Sequence, residues 1–166
     1  MGDRKSPDQR RRRTRIRNVL LLLGLVVIAA LMDPAIIAPV GPLAAPAERI
    51  GASFVRCGAP GNHFACAVDG DTIRLGDRRV RLLGIDAPEM TKPGCRAEAD
   101  LAGRAADRLV ELLNQGDFDM VAHRFRARDR HGRDLRKLTR GNVDIGATLI
   151  DEGLAHRFWG IKTSWC

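Results

Sequence analysis

Between His63 and Pro88 the chain is cut into short β-forming runs by turn dipeptides, and that punctuation limits the fold more than any other feature. Asp69-Gly70 and Gly76-Asp77 separate residues 63–68, 72–75 and 79–85, and Pro88 stops the third run. Such dipeptides favour tight hairpins, so the spacing predicts a three-stranded meander. Over residues 97–114 the period changes. Leu101, Ala105, Leu109 and Leu112 recur every three or four residues and predict a helix ended by Gly116. Residues 118–125 and 133–139 read as a fourth and a fifth strand on either side of an Asp129-Arg130-His131-Gly132 turn. A last helix, starting near Asn142 and stopping at Gly153, carries Val143, Ala147, Ile150 and Leu154 on one face.

The resulting order, β-β-β-α-β-β-α, describes an α+β, β-rich domain. A five-stranded Greek-key barrel, the OB-fold, gives this order, with one helix between strands 3 and 4 and a second after strand 5. Residues 57–166 are 110 residues, enough for one compact domain with a single core.

Composition needs partitioning before it is used. The chain carries a formal charge of +8 and a pI near 10.3, values that suit a partner rich in phosphate. Residues 1–18, however, hold eight Lys+Arg against Asp3 and Asp8, so +6 of that charge belongs to a basic tail. Global basicity therefore says little about what the folded part binds. Behind the tail, Val19 to Met32 form a 14-residue apolar run, the pattern that begins an export signal or signal anchor with arginine kept on the cytoplasmic side. Residues 19–40 are expected to be an N-terminal hydrophobic helix that anchors the chain in a membrane, the alternative being a signal removed on secretion. Residues 41–56, rich in Ala, Pro and Gly, read as a linker. The remainder is then placed outside the cytoplasm, in the periplasm or cell envelope.

Cysteine usage agrees with an oxidising compartment. Cys57, Cys66, Cys95 and Cys166 are an even set in a small domain, where disulfides persist and support a modest core. Three pairings are possible. The one favoured closes a local loop between Cys57 and Cys66 and pins the chain end through Cys95 and Cys166.

Chemistry concentrates in three stretches: residues 68–72, 81–89 and 129–133. Asp71 starts a strand after the Asp69-Gly70 turn, and Asp86 ends the strand that Pro88 stops, so neighbouring strand ends can bring both carboxylates to one rim. Hard cations prefer oxygen ligands, and two aspartates with the backbone carbonyl of Ala87 leave room for water and substrate. Glu89, three residues past Asp86, is placed to orient or deprotonate an attacking water. Arg81 and Arg133 offer guanidinium forks to the charge that builds on phosphoryl oxygens. Each has a duller reading as a solvated surface residue, and Asp69 and Asp129 are read as turn formers. His63, His123, His131 and His156 lack ligand spacing.

Together the motifs are more specific than their members. VDGDTIRL, RVRLLGIDAPE, DRHGRDL and VDIGATLIDEGLA, within residues 67–158, resemble the staphylococcal nuclease-like (thermonuclease) family. The resemblance implies an OB-fold barrel and Ca²⁺-dependent endonucleolytic hydrolysis of DNA and RNA. By position it assigns Asp71, Asp86 and the Ala87 carbonyl to Ca²⁺, Arg81 and Arg133 to the phosphate, and Glu89 to the water. The chain departs from the family pattern in having no tyrosine. His131 and Trp159 stand where substrate-binding aromatics are expected, and Trp159 can stack on a base. The competing reading is a non-catalytic OB domain that holds nucleic acid or another polyanion at the envelope. It needs the arginines but gains nothing from clustered acids, which repel such a ligand unless a cation intervenes. No protein partner is expected.

Overall fold

The computed structural model describes residues 18–24, 47–123 and 125–166. The chain divides into two compact units, Met1–Leu43 and Ala44–Cys166. In the first, residues 18–24 form helix α1, on which Val19 to Leu23 are exposed. Most of the expected anchor, residues 25–40, lies outside the described residues. Among the described residues no helix is long and apolar enough to cross a membrane.

The second unit is α+β and β-rich. Its strands are β1 (Ala47–Ile50), β2 (Val55–Arg56), β3 (Ala65–Ala67), β4 (Thr72–Leu75), β5 (Arg78–Leu82) and β6 (Ile85–Asp86), then β7 (Phe118–Ala122), β8 (Asp134–Arg140), β9 (Val143–Asp144) and β10 (His156–Arg157). Helix α2 (Arg96–Asn114) precedes β7, and helix α3 (Ile145–Asp151) follows β9. One sheet runs β1-β7-β8-β5-β4-β3-β2, with β9 on β8, and β6 pairs β10 separately. Within it the five strands anticipated from the sequence take the order β3-β4-β5-β8-β7, with β5 and β8 parallel. The hydrogen-bonded path ends at β1 and β2 among the described residues and does not return on itself.

Local sequence explains the hairpin at the centre. Leu75 pairs with Arg78, so Gly76-Asp77 is a two-residue loop, and Gly76 adopts the left-handed φ of +56° that its first position requires. On β4 and β5 the alternation is strict where it matters. Ile73, Leu75, Val80 and Leu82 turn inward, while Arg74 and Arg79 are exposed on the other face. The inward residues join Phe54, Leu109, Leu113, Phe118, Met120, Leu138 and Leu149 in one core.

Three features differ from the sequence expectation. First, the folded unit reaches back beyond Cys57 into the stretch expected to be linker. β1 pairs antiparallel with β7, and Phe54 is buried with its backbone N–H and C=O both bonded to the Asn114 side chain at 2.8 and 2.9 Å. Four residues of mixed polarity carry no strand pattern of their own; β7 supplies the pairing edge. Second, the third strand stops at Leu82, because Gly84 turns at φ +81° before the short β6. Third, the buried face of α3 is rotated from the expected Val143, Ala147, Ile150 and Leu154 stripe, whereas α2 buries Ala105, Leu109 and Leu112 of its own. On α2 the buried set is Glu98, Ala102, Ala105, Ala106, Leu109, Leu112 and Leu113, and on α3 it is Ile145, Gly146 and Leu149, while Val143 lies on β9 and is exposed. Ala105 is packed against the Gly70 turn and Gly146 against the Ile85 side chain. The helix N-cap is Asp144 rather than Asn142, its carboxylate accepting from the N–H groups of Gly146 and Ala147. The disulfides are Cys57–Cys66 and Cys95–Cys166, the pairing favoured from the sequence.

Candidate active site

The turn before β4 is pressed against the body of the domain. A Cβ added at Gly70 would fall 2.7 Å from that of Ala105 and 2.8 Å from that of Ala87, so only glycine permits this approach. Asp71 is thereby delivered beside the end of β6. Its Oδ2 accepts the Ala87 N–H at 3.0 Å and its Oδ1 accepts the Thr72 hydroxyl at 2.9 Å. Asp86, whose residue pairs with His156 of β10, lies on the same rim. Both aspartates are buried, at 3% and 2% exposure.

Arg81 of β5 spans the two. Its guanidinium donates to Asp71 Oδ1 at 2.6 Å, to Asp86 Oδ1 at 3.1 Å and to the Ile85 carbonyl at 3.2 Å. The Phe158 ring lies 5.8 Å from its Cζ. Two buried acids with one bridging guanidinium leave net negative charge in a poorly solvated place. Asp69 registers it: burial, and then the charge of Asp71, push its carboxyl up to about 7. Lys162 adds a weak partner at the surface, its Nζ 3.5 Å from Asp86 Oδ1 and 68% exposed.

Arg133 joins through Thr72, whose hydroxyl receives its Nη1 at 3.4 Å. The loop before β8 aims it. Asp129 accepts from the backbone N–H groups of His131 and Arg133 with one oxygen and from Arg133 Nε at 2.7 Å with the other. Burial works against the Asp129 charge, yet the Arg133 donors and the His131 N–H hold its carboxyl below the ordinary range. Asp129 is therefore more than a turn former.

Glu89 has no hydrogen bond to Arg81, Asp71 or Asp86 among the described residues. Its Oε1 accepts the Thr91 N–H at 3.1 Å. The loop that carries it is held by Glu98, which accepts from the N–H groups of Glu89 and Gly94 at 3.0 and 2.6 Å, bonds that also lower the Glu98 pKa. His131 is exposed, and its ring Nε2 receives Arg130 Nε at 3.1 Å. Trp159 is 82% exposed with the Arg157 guanidinium 5.8 Å from its ring. The aromatic that reaches Arg81 is its neighbour Phe158. Thr72, Asp129, Phe158 and Lys162 are contributors that the spacing of acids and arginines does not single out.

The donor set suits a hard cation. Among the described residues no group of three His, Cys, Asp or Glu side chains forms a ready-made cage. What is present is a two-carboxylate half-shell of oxygen donors, with excess negative charge, which leaves positions for water and substrate oxygens.

Residues 79–164 match the family described as Staphylococcal nuclease homologue. The chain belongs to that family. Among curated relatives, the thermonuclease of Staphylococcus intermedius is 32% identical over 53% of this chain and 54% of its own length. The SPbeta prophage-derived endonuclease YokF of Bacillus subtilis (strain 168) is 36% identical over 54% of this chain and 31% of its length. Endonuclease YncB of the same organism is 34% identical over 54% of this chain and 44% of its length. The chain thus spans between about a third and a half of the curated nuclease relatives it matches. The family match begins at Arg79 on β5, so of the site just described it leaves out Asp69, Asp71 and Thr72.

Proposed function

We propose that the chain is an endonuclease that hydrolyses phosphodiester bonds of DNA or RNA with Ca²⁺ held by Asp71 and Asp86. The observation that carries this reading is the convergence of two buried carboxylates on Arg81, with Arg133 one hydroxyl away. Family membership and three relatives named as nucleases support it. The strand order β3-β4-β5-β8-β7 supports the five-stranded OB-type reading of the domain.

Asp71, Asp86 and the Ala87 carbonyl would hold the cation, which when bound supplies Lewis-acid polarisation of a phosphoryl oxygen. Arg81 and Arg133 take the remaining phosphoryl oxygens. Arg133 is suited to this because Asp129 fixes its Nε edge and leaves its Nη2 without a partner among the described residues. The Glu89 carboxylate accepts a proton from the attacking water, on a loop that Glu98 keeps in place. His131 and Trp159 contact the flanking nucleotide, Trp159 by stacking. The two disulfides support action outside the cytoplasm, with residues 19–40 as the membrane anchor.

The test mixes the purified chain with DNA and with RNA, each with Ca²⁺ or with chelator, beside Glu89→Ala. Cleavage only with Ca²⁺, lowered on the order of a thousandfold in the variant, is the expected result. Identical behaviour of all samples overturns the reading, and retention of nucleic acid without cleavage selects the non-catalytic binder.

A further inference from the structure

The outer face of the β4–β5 ladder carries an arrangement that the catalytic rim does not use. Register places Thr72 opposite Arg81 and, on the next rung of the same face, Arg74 opposite Arg79. Both of these arginines are exposed, and among the described residues neither has an ion-pair or hydrogen-bond partner. Like charges directly opposed across an antiparallel pair are destabilising. The fold tolerates the pair without neutralising it.

Beyond that rung the ladder ends in an aromatic. Gly76 donates its N–H to the Phe64 carbonyl at 2.7 Å, so Phe64 continues the pairing of β3 with β4. A Cβ on Gly76 would come 3.1 Å from the Phe64 ring, which therefore rests over the glycine and is still 69% exposed. Phe64 and Arg74 line one open cavity of about 390 Å³ together with His63, Asn62 and Asp77. Alternation along the strands puts the phosphate-clamp rung, the double-arginine rung and the ring on one face, in that order. Successive rungs two residues apart are about 7 Å apart, the reach of one extended nucleotide.

We propose that this face is a track for the substrate strand beyond the scissile phosphate, with Arg74 and Arg79 taking the neighbouring phosphate and Phe64 stacking on a base. The proposal rests on the phosphodiesterase reading and extends it: the β4–β5 face holds the strand one phosphate beyond the cut. A single strand fits because each of its bases offers a face to an isolated ring, whereas a duplex hides its bases in the stack.

The experiment uses the full chain in chelator, where cleavage is suppressed, and measures fluorescence anisotropy of a single-stranded oligonucleotide of roughly 12 nucleotides and of a dinucleotide. Arg74→Ala/Arg79→Ala is expected to weaken the long ligand roughly tenfold and to lower the slope of log affinity against log salt by about 1.4. The dinucleotide, too short to reach the rung, changes less than about twofold. Phe64→Ala weakens the long ligand roughly 5- to 100-fold with no change of slope, as loss of stacking without loss of charge requires. Arg104→Ala, which removes an exposed arginine from helix α2, controls for net charge and leaves the affinity unchanged. Thermal melts confirm that each variant is folded. A wild-type chain that cleaves, with variants that bind the long strand as tightly as it does, removes the track alone. A wild-type chain that neither binds nor cleaves removes the phosphodiesterase reading and the track with it.

Discussion

Arg81 and Arg79 lie two residues apart on β5 and point to the same face, yet their surroundings are opposite. Arg81 donates to two buried carboxylates and a carbonyl oxygen and lies over the Phe158 ring, whereas Arg79 faces only Arg74 across the ladder. At the first position the fold satisfies its own charge and fixes a geometry. At the second it leaves charge over, which is what a surface awaiting a polyanion looks like. The difference shows that counting arginines on this basic chain is less informative than asking which carboxylate each one meets.

The widest gap between the two positions should appear on truncation. Arg81→Ala strips the partner from two acids buried at 3% and 2% exposure, which costs about 3–5 kcal/mol and on the order of a thousandfold in cleavage rate. Arg79→Ala, removing an exposed and unpaired charge, changes stability by less than about 0.5 kcal/mol. Urea unfolding of both variants decides the matter. Equal losses would show that Arg81 is not the internal counter-ion described above.

Much of the inner half of this comparison was legible in the sequence. Asp71, Arg81, Asp86 and Arg133 come together as their positions at strand ends and turns implied, because strand register transmits local punctuation to three dimensions. The outer half was not. Nothing in the spacing of acids and arginines singles out Arg74 and Arg79; the Gly76-Asp77 turn sets them directly opposite each other. Phe158 was passed over in favour of Trp159, since only the pairing of β10 with β6 decides which of two adjacent aromatics turns to Arg81. The stripe of α2 was legible in Ala105, Leu109 and Leu112, and that of α3 was misplaced. Large apolar residues mark a face, but Gly146 of α3 is buried against the Ile85 side chain, where a Cβ would come within 3.2 Å, and its small size is the signal. β1 escaped notice because its stability comes from β7 and not from its own four residues.

The two disulfides divide along the same line. Cys66 sits on the rung beside Arg74, while Cys166 fastens the tail that brings Phe158 and Lys162 to the inner rim. Replacing Cys95 and Cys166 by serine opens a link across 71 residues and should cost about 4 kcal/mol, against about 3 kcal/mol for the link across 9 residues between Cys57 and Cys66. The sharper reading is functional: loss of the long link raises KM, through freed Phe158 and Lys162, more than loss of the short one. Steady-state kinetics on both serine pairs would break the division if the order were reversed.

A third arginine of β5, Arg78, gives an intermediate case. It donates to exposed Glu48 and to Asp134, which is buried and also receives Arg128 and Arg136. Burial tends to raise the Asp134 pKa, but the Arg128 and Arg78 donors outweigh it and hold the carboxyl below its ordinary value. A carboxyl depressed on folding stabilises the fold above its unfolded pKa, and that contribution is lost as pH falls through the folded value. Asp134→Asn should therefore cost about 1–3 kcal/mol at neutral pH and flatten the loss of stability below about pH 4. Urea midpoints followed from neutral to acid pH test this, and parallel curves for the variant and the parent would remove Asp134 from the acid-sensitive groups.

The smallest effect carries the opposite sign. Arg74→Thr leaves a β-forming residue on the strand and removes one of two directly opposed cations, so in the absence of nucleic acid the domain should gain a few tenths of a kcal/mol. High salt should shrink the gain, because the repulsion between exposed charges is screened. Added single-stranded oligonucleotide should reverse it, stabilising the parent more than the variant, since a ligand stabilises by its affinity for the folded state. Melting curves at low salt, at high salt and with oligonucleotide supply all three comparisons. A variant that is less stable than its parent without ligand would mean that Arg74 is satisfied within the fold, as Arg81 is, and the contrast between the two rungs of charge on this ladder would collapse.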